Sequence, residues 1–156
     1  MTGCKYYYCT GLTVADIPQT VVSMGNTVFG GCTSLVSYTV PSCVTKINAY
    51  EFQNCTSLVS VTLPETITEI GNYAFDGCTS LSSINIPNGV TKLGEHSFDE
   101  CKSLTTITLP ESITTLGMGG VLWMYSLGER RPFGLHPYNT TQFIGRRDER
   151  HISGLQ

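Results

Sequence analysis

The sequence predicts a β-rich solenoid of stacked coils, and three observations carry that prediction. Cysteine recurs every 23 residues, at Cys9, Cys32, Cys55, Cys78 and Cys101. Within each interval a short run alternates apolar and hydroxyl residues, as in Leu58-Val59-Ser60-Val61-Thr62-Leu63. A proline then closes the run. A fixed period of this kind marks a repeat architecture, in which a single unit cannot bury its own apolar face and stacking supplies the core.

The elements follow in order along each unit. Leu12, Leu35, Leu58, Leu81 and Leu104 stand three residues after the cysteines, and two more apolar columns follow: Ala15, Tyr38, Val61, Ile84, Ile107 and Ile17, Val40, Leu63, Ile86, Leu109. Apolar residues alternating with hydroxyls have the period of a strand with one face inward. Pro18, Pro41, Pro64, Pro87 and Pro110 remove a backbone donor and end that strand. A second apolar pair, Val21, Val44, Ile67, Val90, Ile113 and Met24, Ile47, Ile70, Leu93, Leu116, predicts the opposite wall. Gly25, Gly71, Gly94 and Gly117 are read as tight-turn residues with left-handed backbone, Asn48 substituting once. Phe29, Phe52, Phe75 and Phe98, with Tyr6 in register, complete the inward set. The stretch around each of these, such as Ala74-Phe75-Asp76-Gly77-Cys78, has room only for a helical or 3₁₀ turn. Coils set about 4.8 Å apart would form a parallel sheet on one side and short strands or 3₁₀ turns on the other.

The pattern C-T-S-L-x-x-I-x-L-P-x-x-V-x-x-I-G-x-x-A-F, carried nearly intact by residues 55–75, resembles the BspA-like class of leucine-rich repeats. The likeness spans roughly residues 9–117, with proline where commoner classes place asparagine. The resemblance implies a right-handed leucine-rich-repeat coil stack whose parallel sheet lies on the concave side. It also implies a surface or secreted protein of the sort that bacteria and parasitic protozoa use to attach to host matrix, host cells or other microbes. Glu51 departs from the pattern by standing where Ala74 stands in its unit, and a carboxylate there is expected to loosen or locally expose the turn.

Residues 1–8 read as a partial N-terminal repeat, 9–123 as five repeats with the last degenerate at its end, and 124–156 as a non-repeat tail. Gly120-Val121 replaces Ala-Phe there, and Met124 stands where a cysteine is due. Arg130, Arg131, Arg146, Arg147 and Arg150 all lie in the tail, whereas every lysine precedes it. The tail is expected to be either appended or frame-shifted, poorly ordered sequence or an irregular cap, with Trp123, Phe133 and Phe143 folding over the last coil.

A net charge of −3 is too small and of the wrong sign to favour nucleic acid or an anionic membrane surface. No run approaches the roughly 20 apolar residues that span a bilayer, so membrane insertion is not expected. Residues 1–6 lack the basic start and apolar stretch of a secretory signal. A surface location therefore rests on the resemblance, with the cytoplasm as the alternative.

The cysteine column lacks the C-x-x-C or Cys/His clustering of zinc sites and reads as buried core thiols. Cys4 and Cys43 lie off it, and an odd total of 7 leaves one thiol unpaired in any fully oxidised monomer, which favours the reduced state. His96 beside Glu95 reads as a solvated turn residue, while His136 and His151 fall in the tail. Asn54-Cys55-Thr56 and Asn139-Thr140-Thr141 match the glycosylation pattern, which matters only on export. No metal or cofactor is expected, and no nucleophile, base and phosphate loop occur at a matching spacing, so the chain reads as non-enzymatic.

The outward strand positions form the expected binding surface: Asp16 beside Val14, then Ser37, Thr39, Ser60, Thr62, Ser83, Asn85, Thr106 and Thr108. Small hydroxyl side chains on a rigid sheet leave room for a partner and can hydrogen-bond it. The reading is a protein–protein interaction module, part of an adhesin-like surface protein that takes a protein or extracellular-matrix partner on its concave face. An intracellular scaffold using the same face is the alternative, and an ice- or glycan-binding hydroxyl surface a remote one. A stack with a bare last coil can also self-associate weakly end to end.

Overall fold

The computed structural model describes residues 6–120. The expectations for the 124–156 tail, Cys4, His136, His151 and the Asn139 triplet lie outside the described residues.

From the second coil onward the chain forms short strands: β1 (Ser37–Thr39), β2 (Lys46–Ile47), β3 (Ser60–Thr62), β4 (Glu69–Ile70), β5 (Ser83–Ile84), β6 (Lys92–Leu93) and β7 (Thr115–Leu116). Among the described residues there is no helix. The strands sort into two parallel sheets, ordered β1-β3-β5 and β2-β4-β6-β7. Ser37 pairs with Ser60 and Ser60 with Ser83 in the first sheet, while Ile47 pairs with Ile70 and Ile70 with Leu93 in the second. The pairing register is the sequence period itself, so one polypeptide rule places every rung. β1 and β3 each bury only their middle residue, which is the alternation read from the sequence.

The turns between the sheets are built by the residues the repeat fixes. Each proline cannot donate to a ladder, yet its carbonyl accepts a bond three residues on, as in Val44 N to Pro41 O (3.0 Å) and Ile67 N to Pro64 O (3.1 Å). After each phenylalanine the cysteine amide donates back to the Phe carbonyl, at 3.1 Å for both Cys55–Phe52 and Cys78–Phe75. That three-residue spacing is a single 3₁₀-type turn that does not continue.

The core lies between the sheets. Phe29, Phe52, Phe75 and Phe98 are fully buried and stack in a near-parallel column whose centroids are 5.3, 5.3 and 5.2 Å apart. Tyr6 extends the column from Phe29 at 5.5 Å. Burying each ring contributes about 1.5–3 kcal/mol, and each stacked pair roughly 0.5–1.5 kcal/mol more. Leu35, Leu58, Leu81 and Leu104 and the Val44, Ile67 and Val90 column fill the remaining space without exposure.

Three expectations are corrected. Gly25, Gly71, Gly94 and Gly117 do not adopt left-handed backbone, and neither does Asn48. The left-handed positions form two other columns: Thr27, Tyr50, Tyr73, His96 and Gly119, and Tyr8, Gly31, Asn54, Gly77 and Glu100. Gly71 is glycine because of crowding, since a Cβ there would lie 2.7 Å from the Ala49 nitrogen of the preceding coil. At Gly94 and Gly117 the added carbon would meet the Asn72 and Glu95 nitrogens at still closer range. Next, Glu51 does not expose its turn but is fully buried within it. Finally, Cys9 is exposed, whereas Cys32, Cys55, Cys78 and Cys101 are buried, and all are free thiols.

Candidate interaction surface

β1, β3 and β5 bring Ser37, Ser60 and Ser83 into one in-register row, with Thr39 beside Thr62 in the next. Asn85 follows β5 directly, while Asp16, Thr106 and Thr108 stand in the flanking coils, which have no strand here. All nine of these residues are exposed. Val36 and Val59 stand next to the serine row, 48% and 43% exposed, and are joined by the Val59 N to Val36 O bond. Asp16 is the single charge of the set; the rest of the surface presents only hydroxyls, an amide and methyl groups.

Hydroxyl commitment separates this face from two threonine columns elsewhere in the coils. Just before β4, β6 and β7, three threonines each donate to the residue one period earlier: Thr68 to Thr45 O at 3.2 Å, Thr91 to Thr68 O at 3.3 Å, Thr114 to Thr91 O at 3.2 Å. Thr56 and Thr79 do likewise, to Thr33 O and Thr56 O. Among the described residues, none of Ser37, Thr39, Ser60, Thr62, Ser83, Asn85, Thr106 or Thr108 has a side-chain bond. Their donors and acceptors are open to a partner, and such short side chains lose little rotamer entropy on being covered.

The four-stranded sheet differs. Glu69 lies between Lys46 and Lys92, with carboxylate-to-ammonium distances of 3.0 and 2.7 Å. Its carboxyl is held below the ordinary value, chiefly by the hydrogen bond from Lys92. Parallel register creates this triad because residues one period apart are neighbours.

The thiols are inert by the same geometry. Cys55, Cys78 and Cys101 donate to the carbonyls of Phe29, Phe52 and Phe75 at 3.1, 3.1 and 3.2 Å, tying each coil to its predecessor. Burial is the largest cause of their raised values, which reach about 12 for Cys55 and Cys101. Thiols held this way stay protonated and unreactive.

One surface feature escaped the sequence reading. Tyr50, Tyr73 and His96 form a stacked ladder, with centroids 5.1 and 5.0 Å apart. The His96 Nδ1 lies 3.0 Å from the Asp99 carboxylate, so this histidine is held by two neighbours rather than merely solvated. Beside it, Gln53 Nε2 donates to Asp76 at 3.0 Å. The signal was present, since the three rings stand one period apart.

The family described as the BspA type leucine-rich-repeat region matches residues 3–119, in six copies. Among solved structures the chain is similar to a leucine-rich-repeat protein of T. pallidum, at 37% identity and TM-score 0.62, covering 64% of this chain and 46% of that one. A leucine-rich-repeat protein from Bacteroides ovatus is 30% identical with TM-score 0.57, covering 63% of this chain and 25% of that one. A leucine-rich cell surface protein from Faecalibacterium prausnitzii is 38% identical with TM-score 0.56, covering 66% and 27%. The chain thus spans less than half the length of each. No curated protein matches it. Family match, paired sheets and repeat register agree, and the chain belongs to the BspA-type leucine-rich-repeat family.

Proposed function

We propose that the chain is a non-enzymatic protein-interaction module of a cell-surface, adhesin-like protein, binding a protein or extracellular-matrix partner across the outer face of β1, β3 and β5. The observation that carries this reading is a contrast in hydroxyl commitment: Thr56, Thr68, Thr79, Thr91 and Thr114 are bonded to the preceding coil, whereas among the described residues the Ser37, Ser60, Ser83, Thr39 and Thr62 hydroxyls have no partner. A uniform, rigid and nearly uncharged face is suited to recognition by shape and hydrogen bonding rather than by long-range steering. The surface location is supported by the F. prausnitzii protein, itself described as a cell surface protein.

The test is capture from extracellular-matrix and host-cell extracts, with identified partners confirmed by direct binding of the purified pair. The full chain should retain one such partner, and the variant carrying Ser60→Lys, Thr62→Lys, Ser83→Lys and Asn85→Lys should lose it. Equal retention by both proteins would move the binding site off this face. Labelling of the protein on intact cells checks its location, and labelling only after lysis would favour an intracellular scaffold.

A further inference from the structure

The second coil carries two polar residues at positions where the third carries Gly71 and Ala74: these are Asn48 and Glu51. They act as a pair. Glu51 Oε2 accepts from the Asn48 backbone amide at 2.6 Å and from Asn48 Nδ2 at 3.4 Å, while Oε1 has no partner although it is buried. Asn48 Nδ2 also donates to the Met24 carbonyl of the first coil at 2.5 Å. Next to Glu51 in its column stand Val28 and Ala74, neither of which titrates. The titratable group it meets is Tyr38, whose hydroxyl donates to Met24 Sδ at 3.5 Å. That hydroxyl is pushed up first by burial, then by the Glu51 carboxylate and by Tyr6. Burial likewise raises the Glu51 carboxyl, to about 8, against the opposing pull of the Asn48 bonds, and among the described residues no lysine offsets it.

This pair sits at the joint between the first and second coils. The first coil has no strand, and its Leu12, Ala15, Ile17 and Val21 are only partly buried. Along the phenylalanine side it is held by Thr27 N to Ala49 O (3.2 Å), Phe29 N to Glu51 O (2.9 Å) and Gly31 N to Gln53 O (2.7 Å). The middle acceptor is the carbonyl of Glu51 itself.

We propose that Glu51 is a proton-controlled latch: as a neutral acid it keeps the first coil seated on the second, and loss of its proton releases that coil from the stack. A carboxylate buried with one oxygen unsatisfied is far costlier than the neutral acid, and opening the joint returns it to water. The sign follows from linkage. The closed form binds the proton more tightly than the open form, so closure is fully favoured below the open-state value of 4.5 and weakens as pH rises to about 8, then levels off. The opening equilibrium should grow by up to about tenfold per pH unit across that window.

The experiment is amide hydrogen exchange on the full chain between about pH 5 and about pH 8, corrected for intrinsic exchange rates. Protection of Thr27, Phe29 and Gly31 should fall by roughly a hundredfold or more. The amides of Tyr73, Phe75 and Gly77, which make the same bonds between the third and fourth coils, should hold steady. Glu51→Gln and Glu51→Ala should both abolish the pH dependence, and the alanine variant, which copies the third coil, carries the comparison should the glutamine variant not fold. Protection at Thr27, Phe29 and Gly31 that is flat with pH in the wild type overturns the proposal. So does an equal fall in the alanine variant, or a fall shared by both joints.

Discussion

The two sheets of this solenoid share one core and one period yet face water in different ways. The sheet of β2, β4, β6 and β7 carries charge and pairs it internally, through Glu69 between Lys46 and Lys92. The sheet of β1, β3 and β5 carries hydroxyls and leaves them unspent. Parallel register makes both outcomes inevitable, because any side chain is repeated one rung away. Alternating charge satisfies such a ladder from within. A row of identical serines spaced one coil apart, with extended backbone and short reach, does not, and its hydrogen bonds remain for something outside the chain. On the proposed function, the difference separates a wall that closes the fold from a wall left for recognition.

The largest break is one that treats both sheets alike. Phe75→Ala removes a fully buried ring stacked on both sides and should cost about 3–5 kcal/mol, read by chemical denaturation. Gly94→Ala should discriminate between the walls. Its added carbon meets the backbone of the preceding coil next to β4 and β6, so a loss of roughly 1–3 kcal/mol is expected. Exchange should accelerate at Gly94 N, which donates to Ile70 O, before it does at Val59 N on the hydroxyl sheet. A smaller effect is expected from Glu69→Gln, about 0.5–1 kcal/mol because both lysines are about half exposed, and high salt should shrink it. Since the Glu69 carboxyl is held low, its contribution is present at neutral pH and lost as the solution is acidified below its unfolded value of 4.5, as a pH series of denaturation midpoints would show. Smallest of all, Ser60→Lys or Thr62→Lys should change stability by no more than about 0.5 kcal/mol, since each side chain is exposed and unbonded.

Much of this was legible in the sequence, for physical reasons visible at particular residues. A strict 23-residue period forces register, so the pairing of Ser60 with Ser37 and Ser83 follows once the coils stack. The phenylalanine and cysteine columns were readable as core because aromatic and thiol side chains at a fixed phase have nowhere else to go. The glycine column is visible in the sequence but its cause is not. Turn glycines suggest positive φ, yet Gly71 answers to the Ala49 backbone of another coil, a contact without trace in local sequence. Left-handed backbone instead falls on Tyr50, Tyr73 and His96, where stacking between coils holds a conformation that propensity disfavours. Glu51 was expected to open its turn, because a lone carboxylate in a core reads as a defect. Its companion Asn48, three residues earlier, supplies the bonds that keep it inside. The exposure of Cys9 reflects its place in a first coil that lacks a strand.

The claim that the hydroxyl sheet is the recognition face is tested most directly by binding measured on the two walls in parallel. For the partner captured by the wild-type chain, calorimetry would give the dissociation constant of three proteins: wild type, the Ser60→Lys, Thr62→Lys, Ser83→Lys, Asn85→Lys variant, and Glu69→Gln. The expected result is a loss of about a hundredfold or more for the lysine variant, with Glu69→Gln unchanged and only weak dependence on salt for the wild type. Retained affinity in the lysine variant, with affinity lost in Glu69→Gln or steeply salt-dependent in the wild type, would contradict it and place recognition on the charged wall.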